Sequence, residues 1–470
     1  MKFKKFGKAL LMSALSAGVV LSVTSCVQSY TVGFLYVTGT VTADPSGNGI
    51  ITGFKIDHNT GRLRPIDGLP VSSGGANPVR AILLSGSRFL YVLNQGVSDN
   101  PAGSSICTTQ YPCKNSNITQ FAVGGNGVLT PQETFYTQGV NPFRIIGDSA
   151  GNYIYVLDHD SPDPSSTSSD PVVATSNANC SAALTGATTC GDITAFQVNA
   201  TTGRLTLVVN NQVSVSNCGT SSTSCPLTYF PVPVNPIDFV LASSNFLTLS
   251  GTPATGDSVF PYTYSAGSGQ LTVNQNSSQT LNAHAATAID SGGGYIYVLD
   301  NEPITYTPTG SSTPITAPSQ ILPFTVGTNG ALQAQTGGAV PDDPTLANPI
   351  ALMVETPKGS WVYVANAGNN NTSSGLTQDG IAGYVIDPSS KQLTTMPGEP
   401  FGVGSGPQCI VEDPSNQFIY EGNFNDSTVT GQSIDQNAGV LVPLLQSTRA
   451  PSSYALTGPA TWCLVDGRTS

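Results

Sequence analysis

The stretch "DSAGNYIYVLD" (148–158) returns almost unchanged as "DSGGGYIYVLD" (290–300), and in looser form as "TPKGSWVYVAN" (356–366) and "DPSNQFIYEGN" (413–423). Each joins a short run of Gly, Asn, Asp, Ser or Pro to a strand. Each therefore reads as a hairpin turn leading into a β-strand. The first copy contains "GDSAG" (147–151), which fits the Gly-x-Ser-x-Gly pattern of serine nucleophiles. That pattern requires a strand-to-helix turn. Here Ser149 aligns with Ser291, Pro357 and Pro414, so it belongs to a turn that repeats and carries no nucleophile.

Outward from this hairpin, a longer unit recurs. Its opening appears as "NPVRAILL" (77–84), "NPFRIIGD" (141–148), "NPIDFVLA" (235–242), "AHAATAID" (283–290), "NPIALMVE" (348–355), "GPQCIVED" (406–413) and "GPATWCLVD" (458–466). Its closing turn appears as "HNTGRL" (58–63), "GGNGVL" (124–129), "ATTGRL" (200–205), "AGSGQL" (266–271), "GTNGAL" (327–332), "PSSKQL" (388–393) and "QNAGVL" (436–441). The first "FLYV" strand, in "GFLYVTG" (33–39), has no opening before it, whereas the last opening sits at the C-terminus.

This offset predicts an all-β chain. Each unit is a four-stranded antiparallel blade, strands a to d, and seven blades close a β-propeller with only short protected edges. The C-terminal segment supplies strand a of the blade whose other strands come from residues 30–75, which joins the two ends. Residues 1–25 read as a lipoprotein signal peptide, 26–29 as a lipidated Cys and tether, and 30–470 as the propeller.

Composition agrees. The chain is 9% charged with 50 Gly and 34 Pro, which suits turns and strand surfaces. The net charge is −12 with only 16 Lys and Arg, so no basic stripe serves a nucleic acid. "MKFKKFGK" is a basic n-region and "ALLMSALSAGVVLSV" an apolar h-region. It ends in "VTSC", which resembles a bacterial lipobox and implies lipidation of Cys26. Val27 rather than Asp points, by analogy with other lipoproteins, to the outer membrane.

Eight further cysteines then remain in an oxidising compartment. Local pairs are Cys107 with Cys113, Cys180 with Cys190, and Cys218 with Cys225. Cys409 and Cys463 fall on innermost strands of adjacent blades, which admits a disulfide clasp. No spacing offers a tetrahedral metal site, and neither metal nor cofactor is expected.

"FLYVTG…GIITGFKIDHNTGRL" (34–63), the two "NP-x-R" openings (77–80 and 141–144) and "YIYVLD" resemble the lactonase family of seven-bladed propellers, which includes bacterial 6-phosphogluconolactonases. The resemblance covers nearly all of residues 30–468 and implies lactone hydrolysis. Family enzymes show Pro-Arg-His opening a blade and Asn-Glu ending the next strand. This chain has Arg80 and Arg144 where the His is expected. His284 falls two residues early and Glu302 one late when aligned on Tyr297.

The long loops at roughly 94–117, 158–191, 209–234 and 300–319 fall on one rim, together with all three local cysteine pairs. Candidate groups converge there. Arg80, Arg144 and Asp238 share one position near the starts of strands a. Asp158, His159 and Asp160 end strand b of the third blade, and Asp300 and Glu302 end that of the fifth. Arg144, His159 and Glu302 are the catalytic candidates. Arg80, Asp158, Asp238, His284 and Asp300 are substrate-binding candidates. Guanidinium pairs suit planar anions, and His159 or a carboxylate suits a base toward water. A structural alternative pairs both arginines with blade carboxylates such as Asp158.

Two functions remain open. One is an exported hydrolase of a sugar lactone or other cyclic ester. The other is a non-catalytic propeller that binds a glycan, peptide or envelope protein. Either is expected as a membrane-anchored monomer.

Overall fold

A computed structural model describes residues 30–467, except 41–46, 85–87, 99, 101–106, 109, 163–189, 216–223, 243–244, 253, 275–277, 293–294, 309, 328–329, 336, 355–359, 370–377, 391, 448–449 and 452. The signal segment, Cys26, Cys180 and Cys218 lie outside the described residues. No helix among the described residues is long and apolar enough to cross a membrane.

Seven antiparallel blades are present. Strands a are Ala460–Asp466, Pro78–Leu83, Val140–Gly147, Pro236–Ala242, Ala286–Gly292, Pro349–Val354 and Pro407–Glu412 for blades 1 to 7. Strands b are Thr31–Gly39, Phe89–Asn94, Tyr153–Asp160, Asn245–Ser250, Tyr295–Asp300, Trp361–Ala367 and Phe418–Asn423. Blade 1 is closed as the offset requires: Phe34 pairs with Asp466 and Val37 with Cys463. Cys409 and Cys463 are bonded, with Cα atoms 5.7 Å apart, and pin blade 7 to this closing strand. Cys107 and Cys113 are bonded too, and Cys190 and Cys225 are each in a disulfide.

Blades 1, 3, 4, 5 and 7 differ from the four-stranded expectation. In each a short fifth segment, such as Phe230–Pro233 in blade 3, pairs with the far half of strand c. Strand d is only three residues long in those blades. Half of strand c would otherwise be an open edge, which the returning segment covers.

Seven apolar clusters each straddle two neighbouring blades, so the core lies between sheets. A turn glycine completes five of the seven seams. Gly61, Gly127, Gly203, Gly269 and Gly439 have φ between 65° and 85°. Their carbonyls accept the hydroxyls of Tyr420, Tyr36, Tyr91, Tyr155 and Tyr363, each from strand b of the preceding blade. Each such bond contributes about 1 kcal/mol.

Two consecutive junctions lack this tether. Leu247 replaces the tyrosine in blade 4. Tyr297 of blade 5 has a buried hydroxyl without a hydrogen-bond partner among the described residues. The matching turn of blade 6 carries Lys391 instead of glycine.

The opening "NP" is explained the same way. Asn77, Asn141, Asn235 and Asn348 adopt φ between 50° and 59°, and Gly406 takes 66°. Asn and Gly tolerate this left-handed region. A bulge follows at once, so that Arg80, Arg144 and Asp238 pair across from Leu93, Leu157 and Leu249.

Candidate functional site

In every strand a the residue that follows the bulge falls on one ring around the propeller axis. In blade order the ring is Trp462, Arg80, Arg144, Asp238, Ala288, Ala351 and Cys409. Four bulky or charged side chains occupy consecutive blades, and three small ones fill the remaining arc. This asymmetry leaves space in front of Arg80. Strands a of all seven blades line a central cavity of about 580 Å³ that includes Arg80, Asp238 and Trp462.

Asp238 joins the two cations. Its Oδ1 lies 3.2 Å from Arg144 Nε and 3.7 Å from Arg80 Nη1, and also accepts the Phe239 amide at 3.0 Å. Arg144 Nη1 donates to the Phe143 carbonyl at 3.2 Å. The Arg80 guanidinium stacks 4.3 Å over the Trp462 ring, whose Nε1 donates to Ala81 O at 3.0 Å. Two cations around one carboxylate leave a net positive charge. Burial and the neighbouring Arg144 lower the Arg80 pKa to about 10, against the pull of Asp238 and Asp290, so it stays ionised at neutral pH.

Asp290 faces the same cavity. It pairs with Tyr297, as Ile146 does with Tyr155, so it stands level with Ile146, one inward-facing step beyond the ring. Burial raises its pKa to about 6; the Asp238 charge adds to this, while the Ser291 amide and Arg80 oppose it. The sequence frame that matches Asp290 with Asp148, and Ser291 with Ser149, is therefore off by two residues in strand a. In blade 5 Gly292 already pairs with Tyr295, whereas blade 3 turns at 148–152, where Asp148 Oδ1 accepts the amides of Asn152 and Tyr153. "AATAIDSG" (285–292), not "AHAATAID", is the true opening of blade 5.

The other candidates lie elsewhere. Asp158 is fully buried, accepts Thr194 Oγ1 at 2.9 Å and interacts with the buried Asp192 carboxyl. The arginines thus pair with Asp238, not with Asp158. Asp300 is also fully buried; it accepts Gln320 Nε2 at 2.8 Å and the Ala285 amide at 3.0 Å, and burial raises its pKa. Asn94 fills the same place in blade 2 and binds Asn117 and Thr119. This is a blade-end polar lock, away from the cavity.

His159 Nδ1 lies 3.0 Å from Asp160 Oδ2 on the rim, with its ring 6.1 Å from Phe143, the residue that also flanks Arg144. His284 and Glu302, displaced from the family pattern, are nonetheless paired at 3.1 Å, and both are about 40% exposed. Sequence reasoning missed Trp462 and Asp290. The first was visible as the ring member of the C-terminal opening. The second was hidden by the shortened hairpin. Among the described residues no cluster of three or more His, Cys, Asp or Glu could hold a metal ion.

Burial raises the pKa values of both Asp158 and Asp192, and in Asp192 the neighbouring carboxylate adds to it, so the pair retains a proton at neutral pH. A carboxyl whose folded pKa is raised stabilises fully below its unfolded value, near 4, and that contribution is lost as pH rises through the folded value. Asp192→Asn keeps a hydrogen-bonding side chain and removes one charge. It is expected to raise unfolding free energy at pH 8 by about 1–3 kcal/mol and to change it little at pH 5. Denaturant melts at both pH values check this; equal gains at both would contradict it.

Residues 318–457 match the family described as "Lactonase, 7-bladed beta-propeller". No curated protein sequence matches the chain. Among solved structures it is similar to a candidate 6-phosphogluconolactonase from Bacteroides fragilis, with 14% identity over 92% of this chain and 98% of that one and a TM-score of 0.58. It is also similar to the periplasmic gluconolactonase of Pseudomonas aeruginosa, with 17% identity over 92% and 99% of the two chains and a TM-score of 0.59. The chain is thus a seven-bladed propeller of the fold seen in these proteins, and its residues 318–457 carry a sequence match to the lactonase family.

Proposed function

We propose that this protein is an exported lactonase-like hydrolase that opens a cyclic ester at the mouth of its central cavity. The observation that carries the reading is the pair of guanidinium groups on one Asp238 oxygen, facing an arc of small residues, with Asp290 one step below.

Arg80 and Arg144 stabilise the negative charge that develops on the carbonyl oxygen as water adds. Asp290 takes the proton of that water as its oxygen bonds to the carbonyl carbon. The ring C–O bond then breaks, and the leaving oxygen recovers the proton from Asp290. The new carboxylic acid ionises, and its carboxylate rests between the two guanidiniums. Family similarity supports the reaction class. The hydrophobic N-terminal segment ending in Cys26 supports export and lipid anchoring, and the bonded cysteines suit an oxidising compartment.

The base must be ionised to act, so kcat/KM is expected to climb as pH rises through about 6. Asp290→Asn is expected to lower kcat/KM by about 100-fold or more and to remove that limb. A pH–rate profile on a lactone panel measures both. An Asp290→Asn variant with the unchanged profile overturns the assignment of the base.

A further inference from the structure

Below the ring, the cavity wall changes character. The next inward-facing position of each strand a holds Leu464, Ile82, Ile146, Val240, Asp290, Met353 and Val411 in blade order. Asp290 is the one polar side chain of this belt. The blades flanking the arginines, from 7 through 1 and 2 to 3, present an unbroken aliphatic arc. One residue further along the strands, Leu83 and Val465 line the cavity together with Ser291 and Glu412. At ~3.3 Å per residue, the two residues from Arg80 to Ile82 put the belt about 7 Å along the strand.

A polyhydroxylated ring and an alkyl chain are treated oppositely by such a wall. Every hydroxyl carried into the belt gives up its water and finds only Asp290 as a side-chain partner at that level, with Ser291 and Glu412 one residue further along. Every methylene carried in gains from leaving water. Cationic recognition is confined to one end, where the arginines sit with Asp238; the polar residues further down, Asp148, Ser291 and Glu412, carry no positive charge. That polarity matches a ligand with an oxygen-rich head and a hydrocarbon tail.

We infer that the substrate is a lactone bearing a linear alkyl tail, with its ester group at the Arg80–Asp238–Arg144 ring and its tail running down the aliphatic belt. This rests on the hydrolase reading above and narrows it from cyclic esters in general to lactones of medium-chain hydroxy acids. The ring-opened product is a hydroxy-carboxylate whose head stays on the guanidiniums and whose tail stays in the belt.

The test uses the full chain and two readouts. The first is kcat/KM for unsubstituted and alkyl-substituted γ-lactones of four to ten carbons, beside glucono-δ-lactone. The second is calorimetric binding of the corresponding ring-opened hydroxy-carboxylates. Each added methylene is expected to raise kcat/KM and product affinity by about three- to fourfold until the belt is filled. Glucono-δ-lactone is expected to be the poorest substrate of the set. Ile82→Asn is expected to flatten the chain-length slope in both readouts.

Hydrolysis of the whole panel with no chain-length slope, or with glucono-δ-lactone preferred, overturns the alkyl tail and leaves the hydrolase reading standing. Chain-length-dependent binding without any hydrolysis overturns the hydrolase reading and leaves the tail site standing. Neither hydrolysis nor binding overturns both.

Discussion

Arg144→Met is expected to lower kcat/KM for lactone opening by about 100-fold or more, the scale seen when one donor to a developing oxyanion is removed. Arg144 is the more exposed of the two cations and the one nearer to Asp238. Its side chain is 25% exposed against 14% for Arg80, and its Nε holds Asp238 at 3.2 Å. Removing it leaves Asp238 paired with Arg80 alone, so the ring loses one of its two positive charges. Arg144→Lys restores a charge without the planar fork and is expected to recover only part of the loss. The readout is kcat/KM beside a thermal melt of each variant. A folded Arg144→Met protein with wild-type kcat/KM would remove the arginine pair from the mechanism.

The largest stability effect is expected at the seam glycines. In the closing turn of blade 4, Gly269 has φ of 68°, and a Cβ there would collide with the Tyr153 ring. Its carbonyl also accepts the Tyr155 hydroxyl at 2.9 Å. Gly267, two residues earlier in the same turn, has open space where a methyl group would sit. Gly269→Ala therefore brings together backbone strain, overpacking and a displaced tether, and is expected to cost about 3 kcal/mol. Gly267→Ala is expected to lie within about 0.5 kcal/mol of wild type. Denaturant unfolding of the two variants side by side measures the contrast, and equal stabilities would contradict the role of the seam glycine.

The repeats were legible because their chemistry is local. A left-handed Asn or Gly before Pro, an alternating strand and a turn glycine each leave a mark in sequence that survives in nearly every blade. The disulfide of Cys409 with Cys463 followed from the same register. The candidate site was legible where it obeyed that register, and Arg80, Arg144 and Asp238 do meet on one ring.

Sequence reading failed where a hairpin changed length. The Gly292–Tyr295 pairing of blade 5 shortens the turn and shifts strand a by two positions against the "YIYVLD" match, which turned a cavity carboxylate, Asp290, into an apparent turn residue. Asp158 and Asp300 looked like site residues because strand b ends at the elaborated rim. Their side chains instead turn into the sheet, where Asn94 marks the same lock with a neutral amide. The fifth segments left no sequence signal, since a loop that covers an exposed strand edge is selected for backbone pairing rather than for side-chain pattern.

The central claim is that the ligand binds at the inner ring, and a crystal structure with a ring-opened hydroxy-carboxylate tests it most directly. The carboxylate is expected within hydrogen-bonding distance of both Arg80 and Arg144, with the remainder of the ligand directed past Asp290 into the cavity. A carboxylate bound instead at the rim beside His284 and Glu302, with the ring empty, would contradict it.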